Sequence, residues 1–141
     1  MRNTRILFLC TGNSARSQIA EGLLKTRGGS TFEVYSAGVE PKSINPLAIQ
    51  VMREIGIDIS NQRSKDVSEV IKTSFDWVVT VCDNAKERCP IFPSARLIHW
   101  DIRDPDTLND FRKTRDDLSS RIDKFLENIA PSNPNEKKNH L

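Results

Sequence analysis

Two segments of this chain, RILFLC at 5–10 and FDWVVTVC at 75–82, are apolar without alternation, and each ends in a cysteine. A strand with one wet face alternates apolar and polar residues, so a run that does not alternate is covered on both sides. Such strands belong to parallel sheets, whose crossovers lay helices on the faces. Helical patterns do lie between them. Residues 17–27 carry Ile19, Ala20, Leu23 and Leu24 on one stripe and stop at Gly28-Gly29. NPLAIQVMREIG at 45–56 opens with Asn45 as a cap and Pro46 at the first helical position, and Gly56 ends it. Its stripe is Ala48, Val51, Met52 and Ile55. A last helix over Leu108–Ile129 spaces Leu108, Phe111, Leu118, Ile122, Phe125 and Ile129 at steps of three, four and seven. TFEVYSAG at 31–38 and ARLIHW at 95–100 supply two more strands.

Strands alternating with helices imply right-handed crossovers and an α/β fold. The expected architecture is a single three-layer domain over residues 1–130. Its four-stranded parallel sheet would have the flavodoxin-like order 2-1-3-4, with helices on both faces. Residues 131–141 read as a polar, disordered tail. In this order strands one and three are neighbours at the switch point, where ligands bind beyond the carboxyl ends. Cys10 and Cys82 then share one edge. Adjacent strands lie ~4.8 Å apart and bridged cysteines ~4.4 to 6.8 Å apart at Cα, so the two thiols are placed to meet.

A net charge of +2 over 141 residues argues against a nucleic-acid or anionic-membrane partner. No apolar run approaches the ~20 residues of a membrane span. The start, MRNTRILFLC, is basic then apolar, but its apolar part falls short of the ~7 to 15 residues of a signal peptide and reads as the first strand. Three cysteines without an export signal make a disulfide framework unexpected and point to a cytoplasmic protein. No cofactor is expected, and the chain is expected to be a monomer.

The loop after the first strand, CTGNSARS at 10–17, is where chemistry concentrates. Small residues between a strand and a helix aim successive N–H groups at one point, beside the positive helix end, and so form an anion cradle. Thr11, Gly12, Asn13, Ser14, Ala15, Arg16 and Ser17 would bind the oxyanion. Gly12 would take a backbone conformation that other residues resist. Asn13 would brace the loop, and Arg16 would present a planar fork to two oxygens of a tetrahedral anion. The amides and Arg16 favour a thiolate nucleophile at Cys10, with Ser17 donating to it.

This loop resembles the phosphate-binding loop of the low-molecular-weight protein tyrosine phosphatases, and more closely that of the thioredoxin-coupled arsenate reductases built on the same fold. The resemblance covers roughly residues 4–129. It includes YSAG at 35–38, GIDIS at 56–60, CPIFP at 89–93 and HWDIRDP at 99–105. It implies a general acid, for which RDP offers Asp104, stiffened by Pro105. Many relatives carry a further cysteine inside the loop, where this chain has Ala15. Some relatives bind potassium beside the loop through residues matching Asn13, Glu21 and Ser36 plus a carboxylate. Lys65 stands at that last position here and could itself replace the cation, so no metal is assigned.

CDNAKERC, Cys82 to Cys89, separates reductase from phosphatase. A phosphatase hydrolyses its thiophosphate with water and needs only one thiol. Arsenate accepts two electrons, as phosphate does not readily do. With arsenic on Cys10, Cys82 can attack the Cys10 sulfur, and Cys89 can then attack Cys82, moving a disulfide outward. A helical DNAKER would hold Cys82 and Cys89 ~10 Å apart, beyond the ~7 Å limit of a disulfide, so the segment must unwind. A packing role for Cys89 beside Pro90 is the alternative; a zinc site fits the spacing poorly. The leading expectation is therefore arsenate reduction, with thioredoxin implied by the resemblance and phosphate or sulfate as mimics of the substrate. Its alternatives are a phosphatase acting through a Cys10 thiophosphate, and a non-catalytic oxyanion-binding or redox-sensing module. The tyrosine-specific enzymes carry aromatics beside their acid; DPDTLND at 104–110 has none.

Overall fold

The computed structural model describes residues 2–129. Four strands, β1 (Thr4–Cys10), β2 (Phe32–Gly38), β3 (Trp77–Thr80) and β4 (Arg96–His99), form one parallel sheet in the order β2-β1-β3-β4. The helices are α1 (Arg16–Gly28), α2 (Pro46–Arg53), α3 (Asp83–Glu87) and α4 (Leu108–Ile129). The order inferred from non-alternating strands is thus present. Ile6, Leu7, Phe8 and Leu9 are all fully buried because β1 is central and both its faces are covered. The polar-tail reading of 131–141 lies outside the described residues. Among those described, no helix is long and apolar enough to cross a membrane.

Several boundaries differ from the sequence expectation for identifiable reasons. The β3 ladder ends at Thr80, two residues short of Cys82. Val81 still donates to the Leu9 carbonyl at 2.9 Å, and Cys82 turns outward to cap α3. The α1 helix has no single stripe: Ser17, Gln18, Glu21 and Gly22 are buried along with Ile19, Ala20, Leu23 and Leu24. It is enclosed by the sheet, α2 and α4, and its polar residues serve the neighbouring loop. Asn45 caps α2 by accepting from the Leu47 N–H, as expected. That helix stops at Arg53, however, and the chain turns through Gly56 at φ 80°, leaving Ile55 outside the core. The α4 helix buries Phe111, Leu118, Ile122 and Phe125 on the expected stripe.

Gly38 ends β2 at the point where the 10–17 loop crosses it. A Cβ there would lie 2.6 Å from the Thr11 carbonyl oxygen and 2.8 Å from the Asn13 nitrogen. Only glycine lets backbone approach backbone this closely.

Candidate active site

The loop from Cys10 to Ser17 leaves β1 at the carboxyl edge of the sheet, and its carbonyls are drawn outward. Those of Cys10, Thr11, Gly12 and Ser14 accept from the N–H groups of Val39, Glu40, Lys42 and Asn45, at 2.7–3.2 Å. The Asn13 carbonyl accepts from the Gln18 side chain at 3.0 Å. With the oxygens turned away, the N–H groups of Gly12, Ser14 and Ala15 donate to no protein acceptor among the described residues. A loop in this state presents donors to an anion.

The left-handed residue is Asn13, at φ 48°, and not Gly12, which the sequence reading had singled out. Asparagine tolerates this conformation, and here its side chain fixes it. Asn13 Nδ2 donates to Ser17 Oγ at 2.8 Å and to Ser36 Oγ at 2.9 Å, while Oδ1 accepts from the Lys65 N–H at 2.9 Å. Gly12 has no left-handed φ, and a Cβ there would meet the Lys42 side chain at an ordinary contact distance of 3.7 Å.

Cys10 is buried at the base of the loop. Its sulfur accepts from the Asn13 N–H at 3.2 Å and lies 2.8 Å from Ser17 Oγ. Arg16 enters from the first turn of α1; its Nη1 donates to the Ile102 carbonyl at 2.8 Å, and Nη2 lies 3.7 Å from Asp104 Oδ1. The strand-to-helix loop and the segment after β4 therefore converge on one cavity of about 350 Å³. Cys10, Thr11, Gly12, Ser14, Arg16, Lys42, Asp104 and Phe111 are among its walls. The Asp104 carboxyl is largely exposed to solvent.

Cys82 reaches this site through Thr11. Cys82 Sγ lies 3.2 Å from Thr11 Oγ1, which also accepts from Asn84 Nδ2 at 3.1 Å. As the cap of α3, Cys82 Sγ further accepts from the Ala85 N–H at 3.4 Å. The DNAKER segment is helical over Asp83–Glu87, as its composition implied. Cys89 follows the helix, half-buried, its thiol donating to the Pro90 carbonyl at 3.3 Å, and burial pushes its pKa up. All three cysteines are free. The α3 segment is tied at both ends by exposed pairs, His99–Asp83 at 3.1 Å and Arg88–Glu40 at 2.9 Å.

Asn13, Glu21 and Ser36 do come together, but not as an open set of oxygens. Ser36 donates to Glu21, and Lys25, one turn along α1, pairs with the same carboxylate. Asn13 turns its NH₂ toward Ser36, so the oxygens that would hold a cation are already engaged. Lys65 is half-buried nearby. Burial lowers its ammonium pKa while Glu21 pulls the other way, and its Nζ donates to the Arg63 carbonyl at 3.0 Å. With these oxygens engaged by protein donors and Lys25 on Glu21, the residues do not fit a potassium ion. Lys25, on the Glu21 carboxylate, and Lys42, on the cavity wall, are two positions near the site that sequence reasoning did not mark. Lys25 carried a signal, as an i,i+4 partner of Glu21; Lys42 carried none.

The family model for low molecular weight phosphotyrosine protein phosphatase matches residues 5–135. An arsenate reductase of Bacillus subtilis is 42% identical over 136 residues, covering 90% of this chain and 98% of that protein. Among solved structures, an arsenate reductase in the phosphate-binding state superposes with a TM-score of 0.82 at 33% identity, covering 89% of this chain and 98% of its own. A thioredoxin-dependent arsenate reductase of Corynebacterium glutamicum superposes with a TM-score of 0.79 at 31% identity, over 93% of this chain and 64% of that one.

Proposed function

Since the chain belongs to the low-molecular-weight phosphotyrosine protein phosphatase family, we propose that its loop holds arsenate and that three cysteines reduce it to arsenite. The chain is an arsenate reductase with thioredoxin as its reductant. The observation that carries this reading is the Thr11–Cys82 contact, which ties a second thiol to the loop holding the first. A hydrolase has no use for that second thiol.

In the proposed sequence the Cys10 thiolate attacks arsenic, and Asp104 gives a proton to the departing oxygen, which leaves as water. Arg16 and the loop N–H groups hold the remaining oxygens. Cys82 then attacks the Cys10 sulfur. The sulfur–arsenic bond breaks with its electron pair on arsenic, arsenite leaves, and a Cys10–Cys82 disulfide remains. Cys89 attacks Cys82 in turn, which frees the Cys10 thiolate and leaves a Cys82–Cys89 disulfide for the thioredoxin dithiol. That last exchange requires α3 to unwind. Slow hydrolysis of phosphomonoesters is expected as a side activity, because the same loop and acid suit it. The reading includes a cytoplasmic monomer, since the reducing cytoplasm keeps such thiols free.

The test is arsenate-dependent NADPH consumption coupled through thioredoxin and its reductase, with single cysteine variants. Cys10→Ser should abolish all chemistry, and Cys82→Ser and Cys89→Ser should abolish multiple turnover. Full activity in either of the latter two would refute the relay, and no NADPH consumption by the unsubstituted protein, with Cys10-dependent phosphomonoester hydrolysis intact, would leave a phosphatase.

A further inference from the structure

The cavity walls hold two cations, Arg16 and Lys42, and their situations differ. Arg16 is committed to its surroundings: it donates to the Ile102 carbonyl and faces the Asp104 carboxylate, and its side chain is only 12% exposed. Lys42 is exposed, and among the described residues its ammonium pairs with no carboxylate. Its base is nonetheless fixed to the loop. The Lys42 N–H donates to the Gly12 carbonyl at 2.7 Å, and a Cβ on Gly12 would lie 3.7 Å from both Lys42 Cγ and Cδ. The stem thus runs along the loop, and the exposed Lys42 side chain lines the cavity.

We infer that Lys42 is the residue that captures the incoming oxyanion and gives this pocket its preference for a dianion. The inference rests on the arsenate reductase reading and deepens it. A tetrahedral oxyanion near neutral pH brings up to two negative charges. Arg16 supplies one positive charge, already shared with Asp104, and the N–H dipoles supply part of another. Lys42 provides the uncompensated charge at the entrance. A cation at a solvated rim raises the rate of encounter and weakens with salt, without entering the bond-breaking step. Lys42 therefore acts on capture, while Arg16 holds the bound oxygens and Cys10 and Asp104 act on the bonds that form and break. Its stem also narrows the approach over Gly12, which a compact inorganic anion passes more easily than an aryl ester.

The experiment uses inorganic phosphate to protect Cys10 from iodoacetamide in the full chain, with alkylation of the Cys10 peptide followed by mass spectrometry. Compared with the unsubstituted protein, Lys42→Gln should need about tenfold more phosphate for half protection and show a flatter dependence on salt. Lys42→Arg should restore protection to within about twofold. In the coupled arsenate assay, Lys42→Gln should raise KM by a similar factor and leave kcat unchanged. Equal protection of Lys42→Gln and the unsubstituted protein would overturn the inference, as would a fall in kcat at constant KM. Absence of protection in the unsubstituted protein would overturn it too. A shifted protection curve in a protein that reduces no arsenate would uphold Lys42 as the capture residue and remove the reductase reading alone.

Discussion

Thr11 Oγ1 and Cys82 Sγ lie 3.2 Å apart, joining the loop after β1 to the cap of α3 across the edge of the sheet. Because Asn84 donates its amide to the same hydroxyl, Thr11 has its own hydrogen free for the sulfur. Thr11→Val keeps the shape and removes the donor. The expected result is about a tenfold loss in arsenite release by the Cys82 step, of the order of one hydrogen bond to a charged group. The backbone N–H groups of the loop are kept, so protection of Cys10 by phosphate should shift by less than about threefold. Quenched-flow single turnover, with arsenite measured directly, checks both halves.

Gly38→Ala tests the close crossing of β2 by the loop. The added Cβ falls 2.6 Å from the Thr11 oxygen, and both partners are backbone, so the loop must move. We expect a loss of about 1–3 kcal/mol of stability in urea unfolding, the range for overpacking. Phosphate affinity should fall together with it, because the displaced atoms belong to the cradle. Gly29→Ala makes the contrast: its Cβ would meet no atom, and its cost should come only from φ 65°.

Cys89 gives the relay a pH dependence. Burial raises its pKa above the ordinary thiol value, so its attacking thiolate becomes more abundant as pH rises through and beyond that value. Transfer of the disulfide from Cys10–Cys82 to Cys82–Cys89 should accelerate with pH throughout the alkaline range, as followed by peptide mapping after acid quench. The sign for stability is opposite. A folded-state pKa above the unfolded one contributes stability below the unfolded pKa and loses it as pH climbs through the folded one. Cys89→Ser should remove both trends.

The pairs at the two ends of α3 resist its unwinding. Both are exposed, so each should matter little alone. Arg88→Ala is expected to speed formation of the Cys82–Cys89 disulfide by about two- to fivefold, and Asp83→Asn by a similar factor. Rates in high salt should converge on that of Arg88→Ala, whose partner is a carboxylate. Unchanged rates in both variants would mean that these pairs do not restrain the segment.

These outcomes bear on how far the chain could be read without coordinates. Strand order was legible because Ile6–Leu9 is apolar on four successive positions and Val78, Val79 and Val81 leave only Thr80 between them, a pattern that fits a doubly covered sheet. Cys10 and Arg16 could be paired from the sequence because one short segment carries both, and both line the same cavity. What failed was whatever depends on a distant segment. Gly12 was chosen for the special backbone conformation that Asn13 adopts, because Ser36 and Lys65 stabilise Asn13 from 23 and 52 residues away. The end of β3 was misplaced because Val81 continues the apolar run after the ladder has stopped. Lys42 had no local pattern to mark it, since its role arises from the Gly12 carbonyl that its own N–H reaches.

The five residues of α3 are too few to form a helix in isolation. In the proposed relay the segment is ordered in the dithiol form and opened in the Cys82–Cys89 disulfide. Whatever free energy the tertiary contacts give to the ordered segment is therefore added to the driving force for reduction. The internal disulfide becomes a better oxidant of thioredoxin than an unstrained bridge of the same span would be. Since a helical turn re-forms in about a microsecond or less, regeneration draws on this bias without being slowed by it.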